Sequence, residues 1–167
     1  KEVYATTGSR IRVRFFGGWG YDQDDVNDPN YLDIAYRGGV PMGGDLTNAP
    51  KNGTPTFIAV AAKDPEGANL DRVQIVKGWL DSEGKLLERV YDVAWSGDRF
   101  PDPESGKLPP VGNTVDAKSA TYTNTIGAAD LAVVWRDPDF NPDERSFYYI
   151  RILEIPITRR SEFHKFI

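Results

Sequence analysis

The residues of this chain that could do chemistry are mostly acids. Asp22, Asp24, Asp25, Asn27 and Asp28 crowd into one short segment. Closely spaced carboxylates and carbonyls suit a calcium ion, which gathers six to eight oxygens. The spacing lacks the turn glycine and the closing bidentate glutamate of an EF-hand loop. Two readings stand. The preferred one is a solvated loop leading into a helix, with Asp28 as N-cap and the other acids favouring the helix N-terminus. The other is a calcium site, which a calcium titration followed by thermal unfolding separates from the first.

Other chemistry finds little support. The single histidine, His164, stands in Phe163-His164-Lys165-Phe166 with no serine or carboxylate arrangement that would make it a base, and is expected to be solvated. One histidine cannot build a His-rich metal site. The absence of cysteine removes thiol nucleophiles, disulfides and thiolate zinc sites. No Gly-x-Ser-x-Gly elbow occurs, and Gly17-Gly18-Trp19-Gly20 lacks the continuation of a phosphate loop or dinucleotide fingerprint. The 25 acids guarantee carboxylate pairs by chance, whereas glycoside chemistry needs a defined separation across a cleft. Trp19, Trp79, Trp95 and Trp135 could stack on a sugar, but large aromatics more commonly sit in cores or interfaces. No catalytic, cofactor-binding or metal-binding residue is assigned, and no cofactor is expected in this chain.

The elements that would position any site read as strands. Arg10 to Phe15 alternates strictly, with Ile11, Val13 and Phe15 on one face and three arginines on a solvated one. Gly17, Gly18 and Gly20 are expected to break it. Asp22 to Tyr36 is the one helix candidate, with Asp28 as N-cap, Pro29 at the first helical position and Gly38 closing it. Pro55 to Asp64 reads as a strand apolar on both faces. Leu70–Leu80 and Lys85–Trp95 read as a hairpin around Asp81-Ser82-Glu83-Gly84, with Gly84 placed for positive φ. Residues 100–113 form a long Pro/Gly loop. Val115 to Tyr122, Ala129 to Trp135 and Ser146 to Ile157 are further strands, and Asp137 to Asp143 is a polar turn. Phe147, Tyr148 and Tyr149 faintly resemble the tyrosine-bearing strand of immunoglobulin-like folds. Seven or eight strands with one short helix predict an all-β, antiparallel β-sandwich of fibronectin/immunoglobulin-like type.

Composition sets the outer bounds. The 167 residues suit one domain, residues 1–167, able to withdraw roughly 70% of its unfolded surface from water. A net charge of -5 and pI near 4.9 argue against nucleic acid as a partner. No apolar run approaches the roughly 20 residues of a membrane span. The lack of cysteine is compatible with a periplasmic or secreted bacterial parent. A chain that starts at Lys1 is expected to be a piece of a larger protein, with any signal segment upstream.

Several segments carry a family resemblance. They are Glu2 to Trp19 (Glu-Val-Tyr-Ala-Thr-Thr-Gly at its start), Gly39 to Leu46, Gly67 to Trp79, Val90 to Ser96, Leu108 to Asn113 and Tyr122 to Ala129. Matching in order over most of the chain to about Ile157, they resemble the C-terminal third of the bacterial family known as domain of unknown function 3604. The resemblance implies a trailing domain behind a larger N-terminal one. That N-terminal part looks like a PHP-type metal-dependent hydrolase with a Gly-Asp-x-His-x-His motif. None of its motifs stands in this chain, so no ligand is carried over.

The end of the chain departs from the pattern. Family members close with a segment of the type Ala-Trp-Thr-Ser-Pro-Ile-Trp, suited to a last edge strand beside Ser146 to Ile157. This chain ends instead in Arg159 to Ile167. The resemblance thus implies a non-catalytic C-terminal accessory domain that supports the catalytic domain of the same polypeptide or shapes its cleft. The loops at residues 38–46 and 100–113 are the expected interdomain or cleft-facing surfaces. The alternative is a ligand- or carbohydrate-binding module. An uncovered edge strand could also serve self-association.

Overall fold

A computed structural model describes residues 3–158. It contains β1 (Arg12–Gly18), α1 (Gln23–Asn27), α2 (Tyr31–Gly38), β2 (Gly39–Pro41), β3 (Thr56–Ala62), β4 (Leu70–Leu80), β5 (Leu86–Trp95), β6 (Asp130–Arg136) and β7 (Arg145–Glu154). All pairings are antiparallel, in a four-stranded sheet of order β2-β1-β3-β6 and a three-stranded sheet of order β5-β4-β7. The result is an all-β sandwich, as the alternating segments predict.

The core lies between the two sheets. Val13, Phe15, Phe57, Ala59 and Ala61 of one sheet meet Val73 and Ile75 of the other. A second apolar cluster covers the opposite face of the larger sheet, where Phe16 and Ile58 pack on Tyr21, Val26 and Ala35 of the helical segment. This explains why β3 is apolar on both faces: one side meets the other sheet and the other side meets α1 and α2. Arg12 and Arg14 stay exposed, as alternation predicts.

The helical segment departs from expectation. Two short helices stand where one was expected, and Asp28 is not an N-cap. Asp22 caps α1, its Oδ1 accepting from the Asp24 N–H at 3.0 Å and the Asp25 N–H at 3.4 Å. Asp25 Oδ2 accepts from the Asp22 N–H at 2.9 Å, completing a reciprocal capping box. Asp28 ends α1 because Pro29 bars its predecessor from the helical region, and Asp28 is extended at φ -71, ψ 134. Its Oδ1 accepts instead from the Asn30 N–H at 2.7 Å. Asp22→Ala is expected to lower unfolding stability by about 1 kcal/mol in urea titrations, since the cap serves two amide donors.

Two further differences have local causes. Gly17 and Gly18 continue β1 rather than break it, pairing with Val40 and Gly39 on one side and with Phe57 and Thr56 on the other. Residues 115–122 form no strand, only a single bridge between Asp116 and Thr121. The Asp116 carboxylate takes the Lys118 N–H and the Ser119 hydroxyl, holding the backbone in a turn. The loop at residues 100–113 has no regular structure, but Arg99 pins it. Its guanidinium donates to the Pro109 carbonyl at 2.8 Å and to Asp71 Oδ1 at 2.6 Å.

Candidate functional site: an aromatic cleft on a locked polar floor

A cleft of about 610 Å³ opens between the β1–β2 edge of one sheet and the start of β7 in the other. Its size falls within the range of small-molecule sites. Four sequence regions converge on it: Phe15, Gly17 and Trp19 at the end of β1, residues 40–49, Pro55 and Phe57 at the start of β3, and residues 140–148. The Gly-rich loop therefore faces a cleft, whereas the loop at residues 100–113 does not line it.

The floor is a buried polar network. Tyr148 lines the cleft, and its hydroxyl donates to Asp137 Oδ2 at 2.6 Å. The same oxygen accepts from Lys77 Nζ at 2.7 Å, with both charged side chains essentially without solvent exposure. Lys77 also donates to the Asp139 carbonyl at 2.7 Å, and Asp137 Oδ1 accepts from the Asp139 N–H at 2.9 Å. Asp139 in turn receives Arg89 and the Tyr91 hydroxyl, each at 2.7 Å. The segment expected to be a polar turn is thus nailed to the middle of β4. Tyr148 acts like the tyrosine of an immunoglobulin corner, but ends on a carboxylate rather than on backbone.

Sequence reasoning passed over this pair, though a signal existed. Val73, Ile75, Lys77 and Trp79 share one face of β4, and a lysine on an apolar face demands a buried counter-charge.

Burial and its place beside Asp137 raise the Tyr148 phenol above its ordinary value. Tyr91 rises through burial and its bond to Asp139. Tyr21 is pushed up to about 12 by burial and the nearby Asp25. A phenol whose folded pKa exceeds its unfolded value contributes stability below about pH 10, and that contribution is lost as pH rises through the folded value. Urea midpoints are therefore expected to hold up to about pH 10 and to fall from there toward about pH 12, and to fall less in Tyr148→Phe, which has no such proton to lose.

The tryptophans separate by role. Trp19 lines the cleft, its indole N–H donating to the Thr47 carbonyl at 2.8 Å. Trp135 packs between Phe57 and Tyr91. The Trp95 indole N–H donates to the Arg99 carbonyl, and Trp79 lies 5.4 Å from Lys77 Nζ. The carboxylates of Asp22, Asp25 and Asp28 are spent on helix ends. Among the described residues no group of three or more His, Cys, Asp or Glu gathers as a metal site. His164 lies outside the described residues.

Fold and cleft together define a two-sheet β-sandwich domain with an aromatic-lined groove on one side. The chain belongs to the family described as Protein of unknown function (DUF3604), whose model matches residues 1–166. No curated protein and no solved structure matches it.

Proposed function

We propose that this chain is the non-catalytic accessory domain of a larger bacterial polypeptide, supporting a preceding metal-dependent hydrolase domain or shaping the mouth of its cleft. The supporting observation is the outer face of the β5-β4-β7 sheet. The corresponding face of the larger sheet is covered by α1 and α2. On the smaller one Leu80, Leu86, Val90, Phe147 and Tyr149 stand exposed, the last two with rings 6.5 Å apart and nearly parallel. Register places Val76 between Val90 and Tyr149, and Leu80 beside Leu86, so these residues form one apolar strip. A strip of that kind suits a companion domain. The free outer side of β7, unpaired among the described residues, offers a second place for contact. The test is hydrolysis of ester and phosphoester substrates with divalent metal ions. The polypeptide that includes the preceding domain is expected to turn over, and this chain alone is not. Turnover by this chain alone overturns the reading.

A second reading, a ligand-binding sandwich module, is favoured by the cleft itself. Titration calorimetry with a series of neutral glycans and of small organic solutes, charged ones included, tests it, and silence across the whole series removes it.

A further inference from the structure

Resting on the ligand-binding reading, we infer that the cleft binds a small, soluble organic cation of the alkylammonium class, an ammonium head on a short apolar body. The walls are aromatic and held in place. Trp19 is fixed by its bond to Thr47 and meets Phe140 edge to face, with ring centroids 5.9 Å apart. Tyr148 is fixed through its hydroxyl by Asp137 and lies 4.5 Å from Phe57. Rings anchored in this way do not collapse into the space between them. Their faces carry the negative end of the ring quadrupole, which attracts cations, and quaternary ammonium ions above all.

Charge selects among ligands that aromatic walls would tolerate. Lysine, arginine and histidine are absent from the lining, whereas Asp45 and Glu144 belong to it. Neither carboxylate joins a salt bridge among the described residues. Phosphates, carboxylates and nucleotides would meet two like charges and no counter-charge, so anionic ligands are excluded. Beneath the floor, Lys77 sits 6.0 Å from the Tyr148 ring and is neutralised by Asp137. The net charge of -5 adds a long-range field that draws cations in.

Choline and its uncharged carbon isostere, 3,3-dimethylbutan-1-ol, are the probes. They share shape and apolar area and differ in charge. Calorimetric titration of the chain is expected to show choline binding about tenfold or more tighter than the isostere, the range of a desolvated cation–aromatic contact. Glu144→Gln should weaken choline several-fold and leave the isostere unchanged, whereas Trp19→Phe, which gives up wall area and the bond to Thr47, should weaken both probes. The first removes a charge at a half-buried bend before β7, and the second keeps a ring. Equal affinity for the two probes, or binding of a neutral sugar without choline, overturns the cation assignment while the binding-module reading stands. Absence of binding to choline, isostere and the whole series alike overturns both.

Discussion

Asp137→Ala is expected to lower stability by about 3 to 5 kcal/mol, the range found when one member of a buried ion pair is removed. For a chain of this size that is a drop of about 8 to 16 °C in thermal midpoint. Three groups lose their partner at once. The Lys77 ammonium is left in a site that water does not reach, with only the Asp139 carbonyl to receive it. The Tyr148 hydroxyl loses its acceptor, and so does the Asp139 N–H. Asp137→Asn keeps an acceptor in place but not the charge, so its loss should be smaller. Lys77→Met should be milder still, because the carboxylate left behind retains two hydrogen-bond donors while the new side chain matches the apolar stem. The double variant Lys77→Met/Asp137→Asn should recover much of the Asp137→Asn loss, since no buried charge remains. Thermal unfolding of the four variants checks the order. If Asp137→Ala cost no more than an exposed substitution, the pair would not be holding the turn to β4.

The same region shows what sequence patterns carry and where they stop. Ile11, Val13 and Phe15 are legible because each records its own burial at a spacing of two. The hairpin is legible because β4, the connection and β5 are adjacent, with Gly84 at φ +78 where an αL residue is needed. The helix boundary was harder: Asp22 and Asp28 are equally good caps by type. What distinguishes them is the Asp22/Asp25 reciprocity and the restriction that Pro29 places on Asp28. The cleft lies further out of reach. It joins Trp19 to residues near 45 and 144, and only the order β2-β1-β3-β6 facing β5-β4-β7 brings them together. Periodicity does not encode sheet order, so the lining residues could be identified as aromatic or acidic but not as neighbours. Lys77 falls between the two cases. Its misfit on an apolar face was readable, and the identity of its partner, 60 positions away, was not.

Gly39→Ala is expected to be the most damaging glycine substitution in the chain, for a reason of space rather than of backbone freedom. Gly39 is extended at φ -174 and ψ -150, a conformation open to alanine. A Cβ there would intrude on the Gly17 carbonyl oxygen of the paired strand and on the Tyr21 hydroxyl. Neither obstacle can step aside. The Gly17 backbone is held in the register of β1 with β2 and β3. The buried Tyr21 hydroxyl donates to the Ala35 carbonyl, and its ring fills a slot walled by Gly18 and Gly38, where added methyls would stand 2.6 and 2.7 Å from it. Overpacking costs about 1 to 3 kcal/mol when neighbours can shift, so the loss here should reach or exceed about 3 kcal/mol. Tyr21→Phe in the same chain should restore only part of it, because it removes the hydroxyl and leaves the carbonyl. Gly20→Ala is the control: no atom lies within 4 Å of its added Cβ, and denaturant midpoints should stay near those of the parent. Should Gly39→Ala match that control, the close approach of β2 to β1 around Tyr21 would be wrong. The cleft wall built from residues 40–49 would then need to be drawn again.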